Sequence, residues 1–373
     1  MGSGGRSTSR PPPTAISDAP TWIFPGSEPT RPSCWRRKPA CNACRWWSRR
    51  TASGETVLVT GIDGFAGSHL GDLLTRRRHT VHGTTRRASR EEAAELAASV
   101  VTHQVDLLQQ DQVEAVVQAV RPRWVFHLAA LSSPAASWDD PGGTIATNAS
   151  MQANLLGALL NLHPLPRVLV VGSGDEYGQP RGRARRLNEE APLRPITPYG
   201  VSKVTQDLMA LQYFLGRGLP AIRVRPFNHA GPRQAPNFAI ASFAQQIARI
   251  ELGKQPPTLK VGNLEARRDF TDVRDIARAY LLAVEKGRPG EVYNVGSGSA
   301  PRLRELLSLL LKMTRAKIAL EVDATRKRAA EADVYVCNAG RFQRLTGWRP
   351  RISLERMLRD TLDYWRRRER RAG

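Results

Sequence analysis

Short apolar runs bounded by turn residues alternate with amphipathic segments from Glu55 onward. Continuous apolar runs are typical of strands buried in a parallel sheet, and the amphipathic segments follow the helical period of about 3.6 residues. The pattern predicts strands at residues 56–60, 80–84, 100–105, 124–128, 168–171 and 222–224. It predicts helices at residues 67–78, 90–98, 110–120, 143–161 and 199–215.

This alternation indicates βαβ units on one sheet. We therefore expect an α/β fold with a Rossmann-type doubly wound parallel sheet and a smaller C-terminal α/β domain. Residues 1–53 show neither period, and we expect a disordered or mis-assigned N-terminal extension there. Residues 54–225 are expected to form a dinucleotide-binding domain and residues 226–373 a substrate domain, some segments of which return to the first.

Composition narrows the class of protein. Its 56 Lys+Arg and 34 Asp+Glu give a net charge of +22 in 373 residues, but the arginines are scattered, which argues against nucleic-acid binding and favours phosphorylated substrates. No apolar run is long enough for a membrane span, and four cysteines make no disulfide framework, so we expect a cytoplasmic protein. Cys34, Cys41 and Cys44 lack a fourth ligand nearby, and we expect no metal site.

Three glycines, Gly61, Gly64 and Gly67, follow the first predicted strand and open a helix. In this context the glycines permit a tight turn and a close approach of the backbone to a pyrophosphate, which faces the helix N-terminus. The motif predicts a dinucleotide site at the start of the first βαβ unit.

The second predicted strand ends without the acidic residue that binds the ribose hydroxyls of NAD. Arg86 and Arg87 follow it and could pair with a 2′-phosphate, although both could instead be ordinary surface arginines. We therefore favour NADP(H), with NAD(H) possible. Further residues expected at the cofactor follow the third and fourth strands; they are Asp106, Leu107, Leu128, Ala129 and Ala130.

Candidate catalytic residues follow the fifth strand. Tyr199 and Lys203 stand four residues apart at the start of a helix and share one face, where the ammonium is expected to lower the pKa of the phenol. Ser173 can hydrogen-bond the same reacting oxygen. Asp175, in the same loop, is either a second acid/base or a loop-capping residue.

These motifs, in this order, resemble the extended short-chain dehydrogenase/reductases that act on nucleotide sugars, the epimerase/dehydratase family. The segments FNHAGPRQ (residues 227–234) and VGNLEARRDFTDVRD (residues 261–275) look like its GDP-sugar branch, and the resemblance runs from about residue 56 to 365. That branch holds GDP-mannose 4,6-dehydratases and GDP-4-keto-6-deoxymannose reductases. Relatives commonly pair through a helix bundle, which implies a homodimer or homotetramer.

The resemblance implies roles for individual residues. Ser173, Tyr199 and Lys203 would form the catalytic triad, and Tyr199 and Lys203 would also contact the cofactor. The residues expected at the GDP-sugar substrate are Asn228 near the sugar and diphosphate, Arg268 on the diphosphate, Arg328 on a phosphate and Glu331 on the ribose. Two departures stand out: the loop carries Ser173-Gly174-Asp175 where dehydratases usually carry Ser/Thr-x-Glu, and the segment around Arg328 lacks the usual prolines.

Two activities fit the triad equally well. A reductase would use NADPH to reduce the C4 ketone of GDP-4-keto-6-deoxymannose to a GDP-rhamnose-type product, and residues 261–275 together with Asp175 favour it. The alternative is a GDP-mannose 4,6-dehydratase that retains NADP and uses Asp175 as the base. A non-catalytic NADP-binding or nucleic-acid-binding protein is a remote alternative, because the complete Ser/Tyr/Lys set argues against it.

Overall fold

A computed structural model of the chain describes residues 1–2, 54–86, 96, 98–179, 186–323 and 336–371. The expected N-terminal extension and the predicted helix at residues 90–98 lie almost wholly outside the described residues. Three candidate site residues, Arg87, Arg328 and Glu331, also lie outside them, so their roles stay predictions.

The elements alternate along the chain as the apolar pattern predicts. The strands are β1 (Thr56–Thr60), β2 (Thr80–Thr85), β3 (Val101–Gln104), β4 (Trp124–His127), β5 (Arg167–Val171), β6 (Arg186–Leu187), β7 (Ala221–Pro226), β8 (His229–Ala230), β9 (Thr258–Val261), β10 (Thr271–Asp272), β11 (Val292–Val295), β12 (Ala319–Val322) and β13 (Val336–Cys337). The helices are α1 (Phe65–Arg76), α2 (Gln110–Val120), α3 (Pro141–Leu159), α4 (Pro198–Arg217), α5 (Ala239–Glu251), α6 (Val273–Lys286), α7 (Leu303–Leu311), α8 (Gly340–Thr346) and α9 (Leu354–Arg371).

The central sheet has the order β11-β7-β5-β4-β1-β2-β3, and every pair of neighbours is parallel. The order reverses at β1, whose neighbours are β2 and β4, which is the signature of a doubly wound sheet. The predicted Rossmann-type α/β fold is therefore confirmed. Element ends differ from the predicted ones by at most two residues. For example, α1 begins at Phe65 and α3 at Pro141, where Asp140 caps the helix by accepting a hydrogen bond from the Gly143 N–H (2.9 Å).

Helices cover both faces of this sheet. Val57 and Val59 on β1 face a core shared with α1 and α6, whereas Leu58 faces a core shared with α2, α3 and α4. Alternate residues of a strand point to opposite faces, so one continuous apolar run fills two cores. Burial of each such side chain contributes about 1.5–3 kcal/mol.

The C-terminal part divides between two environments. Helices α5, α7 and α9 pack around the two-stranded sheet β9–β12 in a third core. Helix α6 and strand β11 instead return to the large sheet, where β11 pairs with β7. The sequence analysis expected some segments of the substrate domain to return to the first domain. The boundary between the two domains at residue 226 stays a prediction. Of the helices in the described ranges, not one has the length and apolar character needed to cross a bilayer.

Candidate active site

A cavity of about 1150 Å³ opens where β1, β4 and β5 end at their carboxyl side. Ligands of doubly wound sheets bind at this edge, next to the reversal of strand order. Every candidate residue in the described ranges lines this one cavity. They are Gly61, Gly64, Gly67, Arg86, Asp106, Leu107, Leu128, Ala129, Ala130, Ser173, Asp175, Tyr199, Lys203, Asn228 and Arg268.

The glycine loop is folded tightly against the end of β2. The Gly61 and Ile62 N–H groups both donate to the Thr84 carbonyl, at 3.0 and 3.2 Å, and Gly61 has a φ of +67°, which favours glycine. A Cβ at Gly67 would lie 2.1 Å from the Gly61 carbonyl oxygen, so only glycine lets α1 start this close to β1. The loop therefore presents its backbone and the N-terminus of α1 to the cavity, which fits a pyrophosphate.

A carboxylate that the sequence analysis did not single out lies beside the end of β2. The Thr85 hydroxyl donates a hydrogen bond to Asp63, the third residue of the glycine loop. Asp63 and Arg86 both line the cavity, and Arg86 is exposed there. Strand β2 has no acid of its own at this end, but the fold brings one to it from the loop.

The residues expected near the adenine are held by backbone contacts. The Asp106 carboxylate accepts a hydrogen bond from the Leu108 N–H (3.0 Å), and Asn154 on α3 donates to the Leu107 carbonyl (3.0 Å). On the opposite wall the Thr60 hydroxyl accepts hydrogen bonds from the N–H groups of Leu128 and Ala129, at 3.2 and 3.3 Å. These contacts fix the ends of β3 and β4 at the cavity.

Helix α4 carries Tyr199 and Lys203 on its first turns. The Thr197 side chain caps this helix by accepting a hydrogen bond from the Gly200 N–H (3.0 Å), and Pro198 occupies the first helical position. The Lys203 ammonium lies 5.9 Å from the centre of the Tyr199 ring and donates to the Val171 carbonyl (2.9 Å). The local sequence thus starts a helix where its first turns meet the end of β5.

Burial dominates the ionisation of both side chains. It raises the pKa of Tyr199 above its usual range; the charge of Asp175 adds to the rise and the hydrogen bond with Ser173 opposes it. The net shift of the Tyr199 pKa is therefore upward rather than downward as expected, because desolvation of the phenolate is its largest cause. Burial also lowers the pKa of Lys203 to about 8, with the charge of Glu176 acting in the opposite direction.

The loop after β5 is a single 3₁₀ turn over Gly174–Glu176 that begins at Ser173. The Ser173 hydroxyl accepts a hydrogen bond from the Asp175 N–H (3.1 Å), and the Ser173 N–H donates to the Glu176 carboxylate (2.8 Å). This reciprocal capping turns Asp175 toward the cavity, where it is half-buried, and turns Glu176 away from it into the protein.

Glu176 belongs to a buried charge network that the sequence analysis missed. Its carboxylate pairs with Arg225 on β7 (2.7 Å), which also pairs with Asp207 on α4 (2.7 Å). Burial raises the pKa of the Glu176 carboxyl, repulsion from Asp207 adds to the rise, and Arg225 opposes it. The available signal was Arg223 and Arg225 at alternate positions of an apolar strand, since arginine is almost never fully buried unless paired.

A neutral histidine lies behind Lys203. His127, at the end of β4, is fully buried, and burial together with the charge of Lys203 lowers its pKa to about 3. Its two ring nitrogens contact the Thr60 hydroxyl (2.9 Å) and the Gln206 amide (3.3 Å), and Gln206 in turn accepts a hydrogen bond from the Lys203 ammonium (3.0 Å). This series of hydrogen-bonded side chains connects Lys203 in the site to Thr60 on β1.

The substrate-side candidates come from the segment after β7 and from the loop after β9. Asn228 is exposed in the cavity, and its backbone carbonyl accepts a hydrogen bond from the Thr271 N–H (3.0 Å). Arg268 is half-buried at the same wall. The ring of the adjacent His229 stacks on the ring of Phe65, the first residue of α1, with ring centroids 5.7 Å apart. The segment after β7 therefore contacts the start of this helix.

Metal ligands do not cluster at this cavity or elsewhere among the described residues, where no three His, Cys, Asp or Glu side chains could hold an ion together. The cysteines at positions 34, 41 and 44 lie outside that part of the chain. Cys337, which lies within it, is a free and buried thiol.

Comparison with known proteins points to one family. The family model described as GDP-mannose 4,6 dehydratase matches residues 58–361. The GDP-6-deoxy-D-mannose reductase of Pseudomonas aeruginosa is 35% identical over 316 residues, which is 85% of this chain and 99% of that protein. GDP-mannose 4,6 dehydratase 2 of Arabidopsis thaliana is 27% identical over 325 residues, covering 82% of this chain and 86% of that one.

Solved structures share the fold. A structure of RMD from Pseudomonas aeruginosa complexed with NADPH superposes with a TM-score of 0.73 at 34% identity, covering 84% of this chain and 100% of that one. The UDP-glucose 4-epimerase of Thermotoga maritima, solved with UDP-glucose, superposes with a TM-score of 0.76 at 27% identity, covering 84% and 99%. With Ser, Tyr and Lys gathered beside the glycine loop, the chain belongs to the GDP-mannose 4,6-dehydratase family, in the epimerase/dehydratase branch of the extended short-chain dehydrogenase/reductases.

Proposed function

We propose that this chain is an NADPH-dependent reductase that converts the C4 ketone of GDP-4-keto-6-deoxymannose to the alcohol, giving a GDP-rhamnose-type product. The convergence of Ser173, Tyr199 and Lys203 on the cavity at the glycine loop supports dinucleotide-dependent chemistry on a sugar, and the similarity to known reductases carries the choice of a reductase. Among relatives, identity is higher to a GDP-6-deoxy-D-mannose reductase, at 35%, than to a GDP-mannose 4,6 dehydratase, at 27%.

The side chains supply the proton for this reduction. When bound, the dinucleotide supplies the hydride. Tyr199 donates its phenolic proton to the ketone oxygen, and Ser173 hydrogen-bonds the same oxygen. A raised pKa keeps Tyr199 protonated at neutral pH, as a proton donor requires. Lys203 places a positive charge beneath the ring and stabilises the phenolate that forms.

Asp175 supports a second candidate, the GDP-mannose 4,6-dehydratase. Its carboxylate lines the cavity, and its charge acts on Tyr199. In that reaction Asp175 would remove the C5 proton before water leaves from C6. The reductase is preferred because dehydration needs a base that reaches C5, and Asp is one methylene shorter than the Glu usual at this position.

The deciding experiment measures NADPH absorbance and sugar-nucleotide products with each substrate in turn. Loss of NADPH with GDP-4-keto-6-deoxymannose, and none with GDP-mannose, is the result expected for the reductase. Conversion of GDP-mannose to the ketone with no net loss of NADPH would instead establish the dehydratase. Turnover of neither compound would refute both.

We infer that Asn228 and Arg268 hold the GDP-sugar, because a guanidinium suits a diphosphate and both residues line the substrate side of the cavity. Arg328 and Glu331 are proposed to contact the nucleotide half. A reducing cytosol is the proposed compartment, since Cys337 is a free thiol and the chain carries four cysteines.

We also propose that the chain forms a homodimer or a homotetramer built from such dimers. Helix α4 exposes Val201, Leu208 and Leu215, each seven residues apart, with 38%, 51% and 72% of their surfaces accessible. An apolar stripe with this spacing runs along one side of a helix and is typical of a helix–helix interface. The other side of α4 packs on α3 and on the sheet.

A further inference from the structure

A fully buried carboxylate lies directly behind the catalytic residues. Glu176 follows Asp175, which lines the cavity, but is itself buried in the protein. One Glu176 oxygen accepts a hydrogen bond from the Ser173 N–H (2.8 Å), and the other pairs with the Arg225 guanidinium (2.7 Å). A charge is almost never kept fully buried unless it is paired, and here both oxygens have partners. The steps proposed for the reduction do not use this carboxylate.

The surrounding residues hold the carboxylate in one position. A Cβ added at Gly172 would overlap Glu176 Oε1, the oxygen that accepts from Ser173, so glycine leaves the space that this oxygen fills. Arg225 is fixed in turn, because it pairs with Asp207 (2.7 Å) and donates to the Tyr177 hydroxyl (3.0 Å). The contact between the carboxylate and the Ser173 N–H is therefore constrained from both sides.

The charge of Glu176 also acts on Lys203. The Lys203 side chain is buried and donates to the Val171 carbonyl (2.9 Å) and to the Gln206 side chain (3.0 Å), and neither acceptor is charged. Burial favours the neutral amine and lowers the pKa of Lys203 to about 8, whereas the charge of Glu176 opposes this fall. The ammonium therefore depends on a carboxylate that it does not contact directly.

Among the described residues, the other ionisable groups near the ammonium do not replace this charge. Tyr199, whose ring centre lies 5.9 Å away, stays protonated because burial raises its pKa. His127 on β4 is neutral because burial lowers its pKa to about 3. The Asp207 carboxylate on α4 pairs with the two arginines of β7, at 2.7 and 2.9 Å. Glu176 is therefore the acid that supports Lys203.

We propose that Glu176 is a positioning residue of the active site, which fixes the backbone at Ser173 and supplies the negative charge that keeps Lys203 an ammonium during turnover. This inference rests on the proposed function, because it assigns Glu176 a part in the reaction of Ser173, Tyr199 and Lys203. The two effects are separable, since the first depends on the reach of the carboxylate and the second on its charge.

The charge is tested by Glu176→Gln, which keeps an acceptor for the Ser173 N–H. Without the negative charge the pKa of Lys203 falls further, so the amine loses its proton at lower pH. In the wild-type protein, kcat for NADPH-dependent reduction of the keto sugar is expected to decline above about pH 8. In Glu176→Gln the decline is expected to begin about one pH unit lower or more, which lowers kcat about tenfold at the alkaline end of the series.

Asp207→Asn is the matched control. Asp207 is also fully buried and pairs with the same Arg225 (2.7 Å), so its substitution disturbs the same ion network. The charge that acts on Lys203 is that of Glu176, so the decline of kcat in this variant is expected to stay at the wild-type pH. Thermal unfolding shows whether each variant is folded. The Kd for NADPH, measured by titration calorimetry, is expected to be unchanged in both, because neither side chain lines the cavity.

The reach is tested by Glu176→Asp, which keeps the charge but withdraws the carboxylate from the Ser173 N–H by one methylene. We expect kcat to fall about tenfold or more at every pH, because a displacement of about 1 Å in a catalytic site costs up to about a hundredfold. Full activity of this variant at every pH would refute the hold on Ser173. Where Glu176→Gln does not fold, this result decides the proposal alone.

The outcomes distinguish this inference from the proposed function. If the pH profile of Glu176→Gln equals that of the wild-type protein, or if Asp207→Asn shifts it equally, the role of the Glu176 charge is refuted while the reductase stands. If the wild-type protein converts GDP-mannose and not the keto sugar, the reductase is refuted, and the same profiles with GDP-mannose decide the role of Glu176 because both reactions use the same triad. Turnover of neither compound would refute both proposals.

Discussion

Tyr199 occupies the first turn of α4, where its hydroxyl bonds with Ser173 and its ring lies 5.9 Å from the Lys203 ammonium. Burial keeps the phenol protonated, so the side chain enters the reaction as an acid. Its proton passes to the ketone oxygen as charge develops there. The chemistry of the site therefore depends on one hydroxyl held between a serine and a lysine.

Removal of that hydroxyl tests the assignment. Tyr199→Phe is expected to lower kcat by about 10²–10⁴-fold with little change in KM, because general acid catalysis contributes about that much and the ring still fills its place. Steady-state NADPH oxidation with the keto sugar measures the change. Tyr213→Phe, on the same helix but away from the cavity, is the matched control and is expected to retain activity. Full activity of Tyr199→Phe would falsify both enzyme proposals.

The sequence predicted which residues form the site more accurately than it predicted the direction of their pKa shifts. The spacing of Tyr199 and Lys203 was sufficient to place both on one helix face, because α-helix geometry is local. The effect of burial on the Tyr199 pKa could not be predicted, since it depends on elements far apart in the chain. Asp63 was missed for the same reason: its contact with Thr85 crosses from the glycine loop to the end of β2.

The 3₁₀ turn after β5 and the strand β7 illustrate how elements hold the site in place. The Glu176 carboxylate accepts a hydrogen bond from the Ser173 N–H. Arg225 on β7 pairs with both Glu176 and Asp207. All three charged side chains are at most 5% exposed. The position of Ser173 is therefore coupled to a buried ion network and to α4, which carries Tyr199.

Removal of Arg225 leaves the buried Glu176 carboxylate without its ion-pair partner, while Asp207 keeps its pair with Arg223 (2.9 Å). Arg225→Met is expected to lower the free energy of unfolding by about 3–5 kcal/mol, which is the typical result of breaking a buried ion pair on one side. Urea titration measures it. Arg359→Met, which breaks the exposed pair of Arg359 and Glu355 (3.0 Å) on α9, is the control and is expected to cost less than about 1 kcal/mol. Equal losses of unfolding free energy in the two variants would show that the buried network stabilises the fold no more than an exposed ion pair does.

Elements in the first part of the chain were predictable because strands such as β1 and β5 are apolar runs and helices such as α1 and α2 are amphipathic. Strand β11 was not predicted because the apolar pattern becomes less regular in the C-terminal part of the chain. The pairs β8–β10 and β6–β13 were not predicted because a strand of two residues carries no period of its own. The Rossmann fold followed from local patterns, whereas the return of β11 to the large sheet depends on tertiary contacts.

The proposed association of two copies of the chain can be tested at the exposed apolar stripe of α4. Leu208→Glu places a charge at the centre of the exposed stripe Val201–Leu208–Leu215 and is expected to convert the dimer to monomer, because an unpaired charge opposes burial of an apolar interface. Light scattering after size-exclusion chromatography gives the mass. Leu320→Glu, at a residue 44% exposed on β12, is the control and is expected to leave the mass unchanged. A wild-type monomer would contradict the proposed assembly.

Stability at acid pH follows from histidines distributed through the fold. Burial lowers the pKa of His127 to about 3 and that of His69 to about 4, and it also lowers the pKa of His229. The unfolded chain protonates these rings near pH 6.5, whereas the folded chain keeps them neutral, so between those limits the unfolded state binds more protons. The free energy of unfolding must therefore fall as the pH drops below about 6.5.

The largest single share of that loss is expected from His127. It is fully buried, and its lowered pKa corresponds to roughly 4–5 kcal/mol between about pH 6.5 and pH 3, as an upper limit. His127→Asn keeps a polar group beside Thr60 but cannot take up a proton, so its stability is expected to decline less steeply on acidification than that of the wild-type protein. Urea titrations at a series of pH values give both slopes. Parallel slopes for the two proteins would mean that His127 does not cause the loss, and the acid sensitivity would then have to arise from the remaining histidines or from the carboxylates.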